Sequence, residues 1–142
     1  MDRIDLFDGE NEFLSNFYSS PVEYEGIKYP TVEHAFQAVK TLENHERENI
    51  ALLPTAGKAK RAGKKVKLRQ DWEKIKLQVM EELLRKKFGD KELRKRLLAT
   101  GNKELVEGNN WKDTFWGVCN GKGQNHLGRL LMKVREEIRE IK

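Results

Sequence analysis

Residues 29–40, Tyr29-Pro-Thr-Val-Glu33-His-Ala-Phe-Gln37-Ala-Val-Lys40, carry the pattern that decides the fold. Thr31 follows a proline, and its side-chain oxygen is of the kind that accepts from the open N–H groups of a first helical turn. Val32, Ala35, Phe36 and Val39 recur at three- and four-residue steps, so they share one face and predict a helix to about Thr41. Glu33, Gln37 and Lys40 fall at i, i+4 and i+7 and occupy the neighbouring stripe. A carboxylate in the first turn is favoured by the helix macrodipole, and the amide and ammonium aligned with it can hydrogen-bond a ligand. The same spacing also describes a solvated polar face, and the residues alone leave both open.

Upstream, Val22-Glu23-Tyr24 and Ile27-Lys28-Tyr29 flank Glu25-Gly26, a two-residue hairpin turn, and Ile4–Phe7 reads as a short strand. Downstream, a short helix is expected over 45–53, and Pro54 is placed to open a third at its first turn, running to about Arg61. Asp71 would cap a long helix to Phe88, with Trp72, Ile75, Val79, Met80, Leu83 and Leu84 inward and Gly89 ending it. Asp90 would cap the next through Leu98, closed by Gly101. From about Asn125, Leu127, Leu130, Leu131, Val134, Ile138 and Ile141 form a 3.6-residue stripe. Between Gly101 and Asn125 no period holds, yet the stretch carries Trp111, Phe115 and Trp116. A long irregular connection rich in large aromatics points to function rather than disorder.

The chain has 142 residues, 37% hydrophobic and 36% charged, enough for one ordinary domain with a core. No apolar run reaches the ~20 residues of a membrane span, and the acidic start MDRIDLFDGE lacks the apolar core of a signal peptide. A cytoplasmic location is the expectation. The single cysteine, Cys119, excludes an internal disulfide and a cysteine-built zinc site, and suits a small buried apolar role. His34, His45 and His126 have no ligand spacing, so neither metal nor cofactor is expected. The net charge of +5 hides an asymmetry. Residues 1–56 are net −7, residues 57–96 net +10 and residues 97–142 net +2. Lys58, Lys60, Arg61, Lys64, Lys65, Lys67 and Arg69 run without an acid among them. Such a run suits a phosphate-bearing partner, although most of these side chains also fit a solvated helix face.

Further candidates follow from chemistry. Asp113, between Trp111 and Trp116, is either an acid–base carboxylate among aromatics or a turn-former; Glu107 shares the ambiguity. Asn120-Gly-Lys-Gly-Gln-Asn125, just before the last helix, resembles a weak anion cradle but matches neither a Walker A nor a dinucleotide spacing. Asn16 and Phe17 pair an amide with an aromatic ring, the combination that holds a planar base, although Phe17 fits a core position equally well.

Phe13-Leu-Ser-Asn-Phe17, the 29–40 segment, Asp71-Trp72, Lys87-Phe88, Leu105-Val-Glu107, Asp113, Trp116-Gly117 and Gly121-Lys-Gly-Gln-Asn125-His-Leu-Gly128-Arg-Leu-Leu-Met132-Lys-Val-Arg135 together resemble the YbiA-like (NADAR) family, in the family's order and over nearly the whole chain. The resemblance implies a single mainly α (α+β) domain over residues 1–142, compact, with a few short strands near the N-terminus and in loops. It implies an N-glycosidase. Relatives hydrolyse phosphoribosyl-pyrimidine intermediates of the early riboflavin pathway or remove ADP-ribose from guanine in nucleic acid, and the family is also associated with NAD and ADP-ribose ligands. The implied partner is therefore a small phosphorylated nucleoside-type substrate or ADP-ribose, with ADP-ribosylated nucleic acid as the alternative and a non-catalytic ADP-ribose module as a third reading; no membrane is implied, and the oligomeric state is open. On this resemblance Glu33 is the expected carboxylate beside the anomeric carbon, with Asp113 as auxiliary acid or ribose-hydroxyl acceptor. Trp116 and Phe17 would stack on the base, and Trp72 and Gly117 would line the site. Lys58, Arg69 and the 120–125 loop would hold phosphate. Asn16, Gln37, Lys40, Glu107 and Asn125 would fix ribose or base edges. The family often places an acidic or small residue after Trp-Gly, where this chain has Val118-Cys119.

Overall fold

The structure, a computed structural model, describes residues 2–141. In chain order the elements are β1 (Arg3–Ile4), a 3₁₀ helix (Gly9–Leu14), β2 (Val22–Tyr24), β3 (Ile27–Tyr29), α1 (Val32–Val39), α2 (Asn44–Ala51), α3 (Ala56–Gly63), α4 (Trp72–Lys87), α5 (Lys91–Ala99), β4 (Glu104–Leu105), β5 (Gly108–Asn109), β6 (Val118–Cys119) and α6 (His126–Glu140). The expected mainly α class with a few short strands is what forms. The chain divides into two compact units, Asn16–Lys87 and Met1–Ser15 with Phe88–Lys142.

In the 16–87 unit, β2 and β3 pair antiparallel with Val22 opposite Tyr29. Glu25 and Gly26 take positive φ of 48° and 86°, the left-handed pair that a two-residue hairpin turn requires. β3 delivers the chain to Thr31, whose Oγ1 accepts from the His34 N–H at 3.0 Å and donates to His34 Nδ1 at 2.8 Å. His34 Nε2 lies 2.9 Å from the Leu53 carbonyl. A carbonyl only accepts, so Nε2 carries the proton and Nδ1 receives the threonine hydroxyl. One hydroxyl thus starts α1 and fixes a buried imidazole. Replacing Thr31 by Val removes both bonds and is expected to lower unfolding free energy by about 1–2 kcal/mol, read as a lower denaturant midpoint at unchanged slope.

All eight residues of α1 are buried, the polar ones included. The helix packs against α2, α3 and α4. The stripe of Glu33 and Gln37 is therefore interior, which excludes the solvated-face reading. α3 begins two residues later than Pro54 suggests: the Thr55 side chain caps it, accepting from the Lys58 N–H at 3.1 Å. Asp71 precedes α4 as expected, but its carboxylate takes the Arg69 guanidinium at 2.7 and 3.2 Å. Of the residues expected inward on α4, Ile75 is only half-buried, while Lys87 is buried beside Leu83 and Leu84.

In the other unit, β1 pairs parallel with β4 and β5 parallel with β6. The strand expected over Ile4–Phe7 is shorter and earlier, ending at Ile4. Asp90 caps α5 through the Leu93 N–H at 3.0 Å. On α6, Leu127, Leu131 and Val134 are buried as the stripe predicts, but Ile141 lies past the helix end and is 75% exposed. Arg135 is buried instead, donating to Thr100 Oγ1 at 2.9 Å. The irregular 101–125 stretch contains three of the short strands.

Candidate functional site

Glu33 occupies the first turn of α1 and is 8% exposed. Its N–H donates to the Asn16 carbonyl at 3.1 Å, and its Oε2 accepts from Gln37 Nε2 at 2.7 Å. The i, i+4 spacing places the amide over the carboxylate, and burial makes the bond strong. The other end of the amide is held by shape. Gln37 Oε1 is buried without a hydrogen-bond partner and fills the space beside the Gly63 α-carbon. A Cβ at Gly63 would overlap that oxygen and lie 2.7 Å from Gln37 Cδ and 2.9 Å from Gln37 Cβ. Only glycine lets α3 approach α1 this closely. Asn16 adds a second buried acceptor without a partner, Oδ1, while its Nδ2 rests on Met80 Sδ at 3.6 Å.

Lys40 ends the same stripe, half-buried at the C-cap of α1. Burial lowers its proton affinity from the ordinary lysine range; Glu33 opposes this, and Lys64, Lys76 and Lys60 reinforce it. The structure therefore gathers Asn16, Glu33, Gln37 and Lys40. It does not bring Lys58 in, since that side chain is exposed on α3. Arg69 is committed: Asp71 takes its guanidinium, which also reaches the Val39 carbonyl at 3.4 Å. Trp72 is 5% exposed and packs on Phe36 with centroids 5.0 Å apart, a core contact rather than an open stacking face. Phe17 is 47% exposed.

The second group of expected residues lies in the other unit, and there the structure assigns scaffold work. Asp113 Oδ1 accepts from the Phe115 and Trp116 N–H groups at 3.1 and 2.9 Å, the turn-forming arrangement of a short acid. Asn109 ties the loop together, accepting from the Asp113 N–H at 3.0 Å and donating to the Asp113 carbonyl at 2.9 Å and to Glu107 Oε1 at 3.2 Å. Gly117 is needed because a Cβ there would overlap the Glu107 carbonyl and carboxylate oxygens. Asn125, at φ 54°, uses both ends of its amide on backbone: Nδ2 donates to Leu105 O at 3.0 Å and Oδ1 accepts from the Glu107 N–H at 2.9 Å. It is a suture between strand and helix. Trp116 is half-buried against Phe115 and His126. Cys119 is buried. A cleft of ≈ 700 Å³ in this unit is lined by Arg3 and Arg129 but also by Asp5 and Glu104, so its charges cancel.

Sequence reasoning missed Gly63 and Lys87. Gly63 carries no sequence signal, because its role is the absence of a side chain. Lys87 did carry one: it continues the Met80, Leu83, Leu84 face at helical spacing. It is 1% exposed, lies 5.7 Å from the Tyr18 ring centroid, and burial drives its pKa down to about 7. The unfolded chain binds this proton up to the ordinary lysine range while the folded chain releases it near 7, so stability rises with pH from about 7 to about 10.5. Lys87→Met is expected to abolish that slope and to stabilise the fold most below pH 7, by ~1 kcal/mol or more, which a pH series of urea melts reads directly.

Among the described residues, no group of three His, Cys, Asp or Glu could hold a metal ion, and no helix is long and apolar enough to cross a membrane. The NADAR domain family matches residues 6–139. An N-glycosidase YbiA from Shigella flexneri is 44% identical over 129 residues, covering 88% of this chain and 80% of its own. A riboflavin biosynthesis protein from Vibrio vulnificus is 39% identical over 137 residues, covering 94% of this chain and 37% of its own. The NMR structure of the E. coli protein YbiA superposes with a TM-score of 0.85 at 40% identity, over 98% of this chain and 86% of that one. With the helical fold shared at this level and the family pattern matched almost end to end, the chain belongs to the NADAR family and, with it, to the N-glycosidases, hydrolases of N-glycosyl bonds.

Proposed function

We propose that the chain hydrolyses the bond between ribose C1′ and a base nitrogen in a phosphorylated nucleoside-type metabolite, with Glu33 as the catalytic carboxylate. One observation carries this: a carboxylate that is 8% exposed, in the first turn of a buried helix, with one oxygen locked by Gln37 at 2.7 Å. A buried charge held in one geometry costs stability, and such an arrangement is characteristic of sites that use it.

Breaking a ribosyl–nitrogen bond builds positive charge on C1′ and the ring oxygen. A fixed carboxylate stabilises that charge and accepts a proton from water as the water oxygen bonds to C1′. The electron pair of the C1′–N bond leaves with the nitrogen, which gains a proton. The products are a free sugar phosphate and an amine. The roles are those of the carboxylates that cleave sugar–oxygen bonds, transferred by analogy to nitrogen. Asn16 Oδ1 and Gln37 Oε1 are acceptors, so the group beside them supplies donors: ribose hydroxyls or the N–H groups of an amino-pyrimidine. Asp113, Glu107, Gly117 and Asn125 build the 105–125 loop in this reading, and the exposed ring of Phe17 offers a face for a base.

The riboflavin-related name of the Vibrio relative favours ribosylamino-pyrimidine phosphates. The net +10 of residues 57–96 favours the alternative, ADP-ribose on guanine in nucleic acid. Incubation with 5-amino-6-ribosylamino-pyrimidine phosphates, with ADP-ribosylated DNA and with ADP-ribose separates them by the product released. Turnover of the first alone supports the proposal. Turnover of the second alone replaces the substrate, and tight ADP-ribose binding with no turnover replaces the activity.

A further inference from the structure

We propose that Asn16 selects ribose: its Oδ1 accepts the 2′-hydroxyl of the substrate's sugar, beside Glu33. This inference rests on the N-glycosidase reading and assigns one substrate donor to one protein acceptor.

The fold leaves the Asn16 amide half used. Its Nδ2 lies 3.6 Å from Met80 Sδ, and a thioether sulfur only accepts. That fixes which end of the amide is which, so Oδ1 is the end turned away from Met80. Oδ1 is buried and has no hydrogen-bond partner among the described residues, in a residue that is 8% exposed. A buried acceptor without a donor is a cost to the fold, recovered when a ligand supplies the donor. Asn16 is also tied to Glu33. Its carbonyl accepts the Glu33 N–H at 3.1 Å, which keeps the two α-carbons within about 7 Å, close enough for one sugar to meet both side chains. Gln37 carries the other orphaned amide oxygen of this unit, but its amide is spent on position. Nε2 holds Glu33 Oε2 at 2.7 Å, and the Oε1 end is packed on the Gly63 α-carbon.

Chemistry chooses the donor. With the carboxylate at C1′, the two nearest donors are the N–H of the leaving nitrogen and the 2′-hydroxyl on the adjacent carbon. The leaving nitrogen departs with an electron pair and gains a proton, and an acceptor facing its N–H would oppose that. The 2′-hydroxyl has the opposite need. Donating to an amide oxygen makes the hydroxyl oxygen more electron-rich, so it withdraws less charge from C1′ as the bond breaks. Hydrogen bonds to a sugar's 2-hydroxyl that strengthen in the transition state are a recognised part of glycoside hydrolysis. A phosphate dianion offers only acceptors and cannot answer Oδ1.

The test is a two-by-two comparison: a phosphorylated ribosylamino-pyrimidine and its 2′-deoxy analogue, on wild type and on Asn16→Leu, with folding checked by circular dichroism and Asn16→Ala used where Asn16→Leu does not fold. The intrinsic reactivity of each substrate is the same on both enzymes and cancels. The ribose-to-deoxyribose ratio of kcat/KM should be about tenfold or more larger in wild type than in Asn16→Leu, with most of the change in kcat. Asn16→Asp keeps an acceptor in place and gives up only the donor to Met80, so it should keep most of the wild-type ratio. Binding gives a second readout. Ribose 5-phosphate should raise Tm of wild type and of Glu33→Gln more than 2-deoxyribose 5-phosphate does, and the difference should vanish in Asn16→Leu. An equal kcat/KM ratio in wild type and Asn16→Leu overturns the proposal. So does an equal loss of the ratio in Asn16→Asp and Asn16→Leu, which marks a role in shape alone. If the sugar phosphates show the Asn16-dependent difference while Glu33→Gln keeps full turnover, the ribose contact stands and the role given to Glu33 falls.

Discussion

Glu33→Gln is expected to lose N-glycosidase turnover by ~10²-fold or more in kcat while keeping its circular dichroism spectrum and a Tm near wild type. The glutamine side chain fills the same volume and still offers an oxygen to Gln37 Nε2, so the 2.7 Å bond can persist. What disappears is the negative charge and the capacity to take a proton. With KM for the phosphorylated substrate little changed, the loss would lie in the transition state alone. A companion Glu33→Ala should lose as much activity and also stability, because Gln37 would be left with its amide unsatisfied in the interior.

The second large effect is expected at a residue with no side chain. Gly63→Ala puts a methyl group where Gln37 Oε1 sits, with Gln37 Cδ and Cβ at 2.7 and 2.9 Å. Either the amide rotates away and releases Glu33 Oε2, or α3 moves off α1. Overpacking of this kind costs about 1–3 kcal/mol, and a displacement of about 1 Å in a catalytic group costs on the order of 10²-fold in rate. Gly63→Ala should therefore lower kcat by ~10-fold or more with a smaller change in KM. The control is the double variant with Gln37→Ala. If the methyl group acts through the amide, adding Gly63→Ala to Gln37→Ala should cost little further activity, a non-additivity that general destabilisation would not give.

Much of the helical architecture was legible because it rests on local rules. Thr31 and Asp90 cap where their side-chain oxygens predict, and the Glu25-Gly26 turn takes the positive φ values a tight hairpin needs. Errors clustered where two local rules compete. Asp71 is suited to capping α4, but a guanidinium two residues away is the stronger partner for its carboxylate. Ile141 continues the α6 period on paper and falls beyond the last helical turn. In the candidate site, residues on one helix were readable from spacing: Glu33, Gln37 and Lys40 stand together because 3.6 residues make a turn. Contributions from other elements were not. No periodicity in the 57–69 run shows that Lys58 is exposed or that the Arg69 guanidinium is taken by Asp71. Nor does a sequence show that Asn125 and Asp113, polar and near glycines, are used up on backbone groups.

The most direct measurement is the structure of Glu33→Gln soaked with an intact phosphorylated ribosylamino-pyrimidine. C1′ is expected about 3–3.5 Å from a side-chain atom of residue 33, or from a water bound to it, the separation of a near-attack geometry. Ribose lying farther from residue 33 than one intervening water can bridge, with the base nitrogen approached instead by a different carboxylate, would contradict it.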